Sequence, residues 1–491
     1  MTDPLMKEGL STDGSVAGGV MKTLFLQPPS FDGFDGGAGA RYQARREIRS
    51  FWYPTWLAQP AAMVPGSRLI DAPPAGYSLQ QVLEMAQGYE LAVLHTSEPS
   101  FASDVKVAEA LKTAVPGLML GFIGAKAAVS PDAVLNASDA IDFAAREEFD
   151  YTIKELAERA PIESITGLSY KGDQGKIIHN PPRAVPENMD ELPFVSSVYK
   201  RDLHIEDYFI GYLQHPYVSF YTGRGCHSRC TFCLWPQTVG GHRYRTRSVE
   251  NVLAEVRQIK RDFPQVKEIF FDDDTFTDDG PRAIAIAKGL GEIGITWSCN
   301  AKANVPYDTL KAMKEGGLRL LLVGYESGNQ QILNNIKKGM RLDIARRFTK
   351  DCHKLGITIH GTFILGLPGE TKETIEETIR FACDINPHTM QVSLAAPYPG
   401  TELYDQAVKE GWLKPEDDTL INDDTGTQQS VLSYPHLDHT LIFDSADAFY
   451  KRFYFRAGKI AEMIGEMGRS PWMIPRRLRE GLEFMRYLGQ H

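Results

Sequence analysis

The sequence predicts an α/β protein: a Rossmann-like parallel sheet, then an incomplete (β/α)6 barrel, then a C-terminal helical extension. Three observations carry this. Apolar strand-like runs alternate with helix-like runs over 21–160 and again over 217–395, and such alternation builds parallel sheets with helices on their faces. Pro181, Pro182, Pro186 and Pro193 mark a break between the two series. Beyond the second series the pattern turns helical.

The division that follows is a flexible leader at 1–20, a Rossmann-like domain at 21–160, a hairpin and linker at 161–205, a barrel at 206–430 and a helical region at 431–491. In the first domain, 22–26, 68–71, 91–95 and 118–123 read as strands, and 79–87 and 104–114 carry helical spacing. Sheets of this type bind ligands at the carboxyl ends of their strands, which places 28–39, 96–103 and 124–131 at any site. Residues 165–170 and 176–179 flank the turn 171–175 as a hairpin. In the barrel, strands are expected at 217–222, 267–272, 295–299, 318–325, 357–364 and 389–395, with a helix at 249–262 after the first loop. Six units leave a barrel open on one side, with its active site at the C-terminal strand ends.

Composition excludes several classes. The 491 residues carry a net charge of −10, which disfavours a general nucleic-acid binder. Six cysteines in a chain this long make no disulfide framework, and a reducing cytoplasm suits them. No secretory signal is visible in 1–20, and no run of apolar residues is long enough to cross a membrane.

Half of the cysteines lie in one stretch, Cys226-His227-Ser228-Arg229-Cys230-Thr231-Phe232-Cys233, between Gly223, Gly225 and Pro236. Three thiolates at this spacing can hold one cubic iron–sulfur cluster and leave its fourth iron open for a substrate or cofactor. Two plainer readings compete. The spacing also fits one face of a buried helix, though the flanking Gly and Pro argue against a helix. Zinc held by the three cysteines with His227 or His242 is the other, but zinc sites usually pair two C-x-x-C knuckles.

C-x-x-x-C-x-aromatic-C after a strand resembles the radical S-adenosylmethionine (SAM) enzymes. That resemblance implies a 4Fe–4S cluster on Cys226, Cys230 and Cys233, whose open iron chelates SAM and whose electron cleaves it to a 5′-deoxyadenosyl radical. It also places Phe232 beside adenine, and makes Asp272, Asp273 and Asp274 candidates for SAM's ammonium group. Glu326, Ser327 and Gly328 resemble the family's ribose and methionine contact, and the turns at Gly366–Thr371 and Pro397–Thr401 fall in family order. For the acidic triplet alone, a solvated loop or a helix cap is the plain reading. No residue is assigned a catalytic role beyond these. With no cysteine before Cys226 and none after Cys383, a single cluster is expected. Cys299, Cys352 and Cys383 read as buried free thiols.

The first domain resembles the cobalamin-binding domain that precedes the barrel in one subgroup of these enzymes. Two departures leave cobalamin occupancy open: the D-x-H-x-x-G signature is absent, and the usual Gly-Gly-x-His is reduced to Gly124-Ala125-Lys126. A further resemblance, through the loop 31–46 with Arg41, Arg45 and Arg46, through 51–54, and through Cys226–Pro236, is to the radical SAM proteins of hopanoid lipid biosynthesis. It implies contraction of the hexosamine ring of glucosaminyl bacteriohopanetetrol to an aminocyclopentitol (cyclitol ether). The alternative is a cobalamin-dependent methyltransferase acting on a lipid or other small molecule. Either implies an amphipathic lipid or small-molecule substrate and an electron donor such as flavodoxin or ferredoxin. Residues 441–491 hold nine basic against six acidic residues, with aromatics interleaved. Helices packing over the open side of the barrel explain this plainly; a peripheral surface for the inner membrane is the sharper reading.

Overall fold

The computed structural model describes residues 19–30, 50–413 and 430–469, with 479, 481 and 482 beyond them. The first sheet contains β1 (Thr23–Gln27), β2 (Arg68–Asp71), β3 (Leu91–His95), β4 (Met119–Ile123), β5 (Phe143–Ala145), β6 (Leu168–Lys171) and β7 (Ile177–His179). Their spatial order is β2-β1-β3-β4-β5-β6-β7. The first five run parallel. β1 and β3 are buried along their whole length, so they read as continuous apolar runs rather than alternating ones. The chain reverses its winding between β1 and β3, which is the switch point where doubly wound sheets take ligands.

The expected hairpin forms but does not stand in a separate 161–205 segment. It is β6–β7, paired antiparallel onto β5 through Phe143 opposite Tyr170. Its physical reason lies in β5, which is short and fully buried and would otherwise leave open backbone groups at a sheet edge.

β8 (Tyr217–Phe220) opens the second unit and leads into a two-stranded ribbon, β9 (Gly223–Arg224) and β10 (Arg245–Thr246). β11 (Glu268–Phe271), β12 (Thr296–Ala301), β13 (Leu318–Glu326), β14 (Thr358–Leu365) and β15 (Thr389–Leu394) follow. With β8 they form a six-stranded parallel sheet in chain order, and its end strands β8 and β15 are not neighbours. The barrel is therefore open, as the six repeats predict. The helix after the first loop spans Val249–Asp262, started by Ser248, whose side chain accepts from Asn251 N.

Helix His439–Tyr454 covers the β15 edge. The hydroxyls of Tyr454 and Tyr450 accept from Met390 N and Val392 N of that strand, each at 2.9 Å. Phe449, Tyr450 and Phe453 are buried, so packing explains these aromatics. Trp472 lies outside the described residues. On the next helix, Ala457–Arg469, Ile460, Met463 and Ile464 are exposed. Among the described residues no helix is long and apolar enough to cross a membrane.

The turn after β14 is closed by Glu370, whose Oε2 accepts from Gly366 N at 2.6 Å and from Leu367 N at 3.2 Å. Burial raises its pKa from 4.5 to about 8, against the pull of those two donors. The folded chain thus holds this proton where the unfolded chain has lost it. The contribution to stability is complete at low pH and is lost as pH rises through about 8. Glu370→Gln keeps the acceptor and removes the titration. Its melting temperature is expected to exceed that of the wild type by a growing margin from pH 6 to pH 9, worth about 1–4 kcal/mol at the top. A parallel decline in thermal melts of both proteins would show that Glu370 does not set this slope.

Candidate active site

The cysteine loop hangs from the ribbon. Gly225 has φ +87°, and a Cβ there would stand 2.3 Å from Arg243 O and 2.8 Å from Gly240 O, so only glycine fits. Cys226 follows, its N donating to Gly241 O at 3.2 Å. At the far end Cys233 precedes the short helix Leu234–Thr238. Gln237 Nε2 gathers the loop by donating to the carbonyls of Cys230, Thr231 and Cys233, at 3.3, 3.2 and 2.7 Å. Residues 226–233 contain no helix, which removes the reading of three core cysteines on a helical face.

Cys226 and Cys230 are buried and Cys233 is half-buried. Burial pushes the Cys230 and Cys233 thiols up; Asp274 adds to this at Cys233, and the neighbouring thiols add at both. A cation among the thiols, such as the iron of a cluster, would oppose those upward shifts at Cys230 and Cys233. Among the described residues no three His, Cys, Asp or Glu converge as ligands of one metal ion.

The acidic triplet after β11 divides. Asp273 is fully buried and accepts from Thr222 N, Thr222 Oγ1 and Tyr244 Oη, all at 2.6 Å. This carboxylate ties the barrel wall together through those three donors. Asp272 Oδ1 lies 3.4 Å from Asn300 Nδ2, while Asp274 is half-buried and acts on Cys233. Thr275 Oγ1 stands 3.8 Å from Cys226 Sγ.

After β13, Glu326 takes φ +62° and pairs with Lys338 Nζ at 2.6 Å, both side chains being largely buried. Ser327 turns the other way. It is fully buried, and its Oγ lies 3.1 Å from Thr378 Oγ1 on helix Lys372–Ile385, which also accepts from Gly328 N at 3.0 Å. Ser327 and Gly328 thus seat this strand end against a helix. Phe232 is half-buried against the core.

Lys338 is the residue that sequence reasoning missed. Burial would lower its pKa, but the Glu326 carboxylate and the Cys230 thiol outweigh that and raise it, so it stays cationic. Lys302, bonded to Asp278 at 2.9 Å, acts on Cys230 as well. Neither lysine belongs to a motif; only the fold brings them to the thiols.

The carboxyl edge of the first sheet meets this loop. Ala125, just past β4, packs with Leu234, Tyr398 and Val431 in a small buried cluster. A Cβ on Gly400 would stand 2.6 Å from Val129 and 3.1 Å from Thr238. At the switch point, Gln27 ends β1, is 5% exposed, and its Oε1 has no hydrogen-bond partner among the described residues. An orphaned acceptor there fits a ligand with amide donors, as the corrin periphery has. Arg41, Arg45 and Arg46 lie outside the described residues.

Residues 220–382 match the model of the Radical SAM superfamily. A methyltransferase of Pyrococcus horikoshii, itself uncharacterised, is 30% identical over 407 residues, which cover 80% of this chain and 84% of that one. Among solved structures, the radical SAM methyltransferase TsrM from Kitasatospora setae, with cobalamin and a 4Fe–4S cluster bound, superposes with a TM-score of 0.67 at 14% identity, covering 88% of this chain and 89% of its own. The cobalamin-dependent SAM radical enzyme OxsB, with aqua-cobalamin and SAM bound, gives a TM-score of 0.68 at 16% identity, over 94% of this chain and 72% of its own.

Proposed function

This chain belongs to the radical SAM superfamily, enzymes that work with a 4Fe–4S cluster and SAM, and on that premise we propose that it is a cobalamin-dependent radical methyltransferase acting on an amphipathic lipid or other small molecule. The observation that carries the proposal is the abutment of the first sheet's carboxyl edge on the cysteine loop, through Ala125, Leu234 and Tyr398. A ligand at the β1/β3 switch point then lies beside the barrel mouth. Cobalamin bound there supplies a methyl carrier.

In this reading Cys226, Cys230 and Cys233 hold the cluster, and Phe232 lies along the adenine. Asp272 and Asp274 accept from SAM's ammonium group. Lys338, kept charged by Glu326, offsets the negative charge of the thiolates and of SAM's carboxylate. Gln27 accepts from a corrin amide. A reduced flavodoxin or ferredoxin supplies the electron.

Ring contraction on a hopanoid sugar rests on the resemblance of 31–46, outside the described residues, and of 51–54 and the cysteine loop. The methyltransferase relatives favour methyl transfer over it. Anaerobic protein loaded with cluster and cobalamin, given SAM, dithionite and glucosaminyl bacteriohopanetetrol, distinguishes the two. S-Adenosylhomocysteine and a lipid heavier by one methylene support methyl transfer. 5′-Deoxyadenosine with an isomeric lipid and no S-adenosylhomocysteine overturns it in favour of ring contraction.

A further inference from the structure

Both ends of the cysteine loop are seated on the first sheet unit as well as on the barrel. Arg224, two residues before Cys226, sends Nη1 to Asp150 Oδ2, with Glu148 Oε2 at 3.4 Å. Arg245, its cross-strand partner on the ribbon, bonds Glu148 through Nη2 and donates through Nη1 to Pro186 O at 2.8 Å. Glu148 and Asp150 stand just past β5, at the carboxyl edge of the first sheet and the start of helix Asp150–Ala157. None of these four charged residues is more than 4% exposed.

The other end meets the same support. Trp235, two residues after Cys233, stacks on Trp56 with ring centroids 5.0 Å apart and planes within 5°. Trp56 belongs to helix Thr55–Met63 of the first unit, and the Arg224 guanidinium lies 4.7 Å above its ring. One indole is thus shared by the two anchors of the loop.

There is no slack between anchor and cysteine. Gly225 is wedged against the carbonyls of Gly240, Gly241 and Arg243, so a shift of Arg224 carries Cys226 with it. Stability alone explains this network poorly. Arg224 Nε and Asp150 Oδ1 are buried without a partner among the described residues, and a buried ion network left partly unsatisfied is often no more stabilising than an apolar contact of the same volume. What fixed charges give is one geometry.

We propose that Glu148 and Asp150, with Trp56, are positioning residues for the cluster-binding loop: the first sheet unit sets where Cys226 and Cys233 stand. The proposal rests on the cluster reading of the three cysteines. It assigns the N-terminal unit a second task besides holding a ligand, since the β1/β3 switch point where cobalamin is placed and the charged support past β5 lie on the same carboxyl edge of the sheet.

The test uses the full-length protein, reconstituted anaerobically with iron and sulfide. Glu148→Gln, Glu148→Asp and Trp56→Phe are compared with wild type by thermal melting, iron content, the electron paramagnetic resonance (EPR) spectrum and midpoint potential of the reduced cluster, and the kinetics of SAM cleavage. Glu148→Gln is expected to keep the wild-type iron content while its EPR spectrum changes and kcat falls by about 100-fold, the cost of a misplaced reacting group. Glu148→Asp, which keeps the charge, is expected to recover most of that loss. A folded Glu148→Gln protein with the wild-type EPR spectrum, potential and rate overturns the proposal. Should Glu148→Gln fail to fold, Trp56→Phe decides: an altered EPR spectrum at full iron content supports positioning, and an unchanged one overturns it. A wild-type chain that takes up no cluster overturns the underlying reading, and the positioning role with it.

Discussion

Single replacement of Cys226, Cys230 or Cys233 by alanine is expected to abolish SAM cleavage outright and to remove the visible absorption of the cluster, while the fold survives. In the proposed cluster each thiol would hold a separate corner, so the loss of one would leave an iron without its protein ligand in a site that also takes SAM. The loop itself does not depend on any one of them. Gln237 gathers its carbonyls, Thr231 N donates to Ile336 O at 3.1 Å, and Leu403 N donates to Thr231 O at 2.9 Å. Removing one buried sulfur costs about 1–2 kcal/mol of packing, well within what a chain of this size tolerates. Cys299 and Cys352 provide the control. Both are buried, and burial raises both thiols, with Asp273 adding to this at Cys299 and Asp351 at Cys352, so Cys299→Ala and Cys352→Ala are expected to leave iron content and SAM cleavage at wild-type levels. Iron analysis and 5′-deoxyadenosine formation read both sets. Turnover surviving in Cys226→Ala, Cys230→Ala or Cys233→Ala would remove the cluster assignment, and zinc retained in place of iron would restore the mononuclear one.

The sequence made the barrel legible because its strands are apolar and alternate with helical runs. All six strands lie where the alternation put them, within two residues at most ends. The cysteine loop was legible for a chemical reason, since three thiols at that spacing have few other uses. What escaped has a common cause, dependence on contacts distant in the chain. β5 is too short to carry a period, and it shows itself only by pairing with β4 and the hairpin. Lys338 lies in a loop between helices and becomes a neighbour of Cys230 only when β13 brings Glu326 to it. Arg224, Arg245, Glu148 and Asp150 look like ordinary surface charges in the sequence, and their burial is a property of two units meeting. The triplet Asp272–Asp274 shows the opposite failure. Three identical residues in a row invite one role, but successive residues at a strand end point to different sides, and the structure gives them different partners.

That divergence makes a sharp pair of expected results. Asp273→Ala removes the acceptor of Thr222 N, Thr222 Oγ1 and Tyr244 Oη, and the countercharge of Arg282, whose Nη2 donates to Thr222 O at 2.9 Å. A buried cation and three donors are left facing a void. The cost is about 3–5 kcal/mol, and the melting temperature drops on the order of 10 °C. Asp274→Asn, one residue on, alters a half-buried side chain whose field falls on Cys233. It is expected to melt within about 1 kcal/mol of wild type, because partly solvated charges contribute little to folding. Its defect should appear instead in SAM binding, with KM raised about 10- to 100-fold for one lost charge-assisted hydrogen bond. Thermal melts and SAM-dependent 5′-deoxyadenosine kinetics separate the two. A stable Asp273→Ala with weakened SAM binding, beside an Asp274→Asn indistinguishable from wild type, would exchange the roles. The cofactor's ammonium group would then have to reach a carboxylate that already holds three donors in the barrel wall, so strand β11 would have to end differently in the SAM-bound enzyme. The physical content of the prediction is that a buried carboxylate already accepting from three donors inside the protein does more for the fold than for a ligand, whatever its place in a motif.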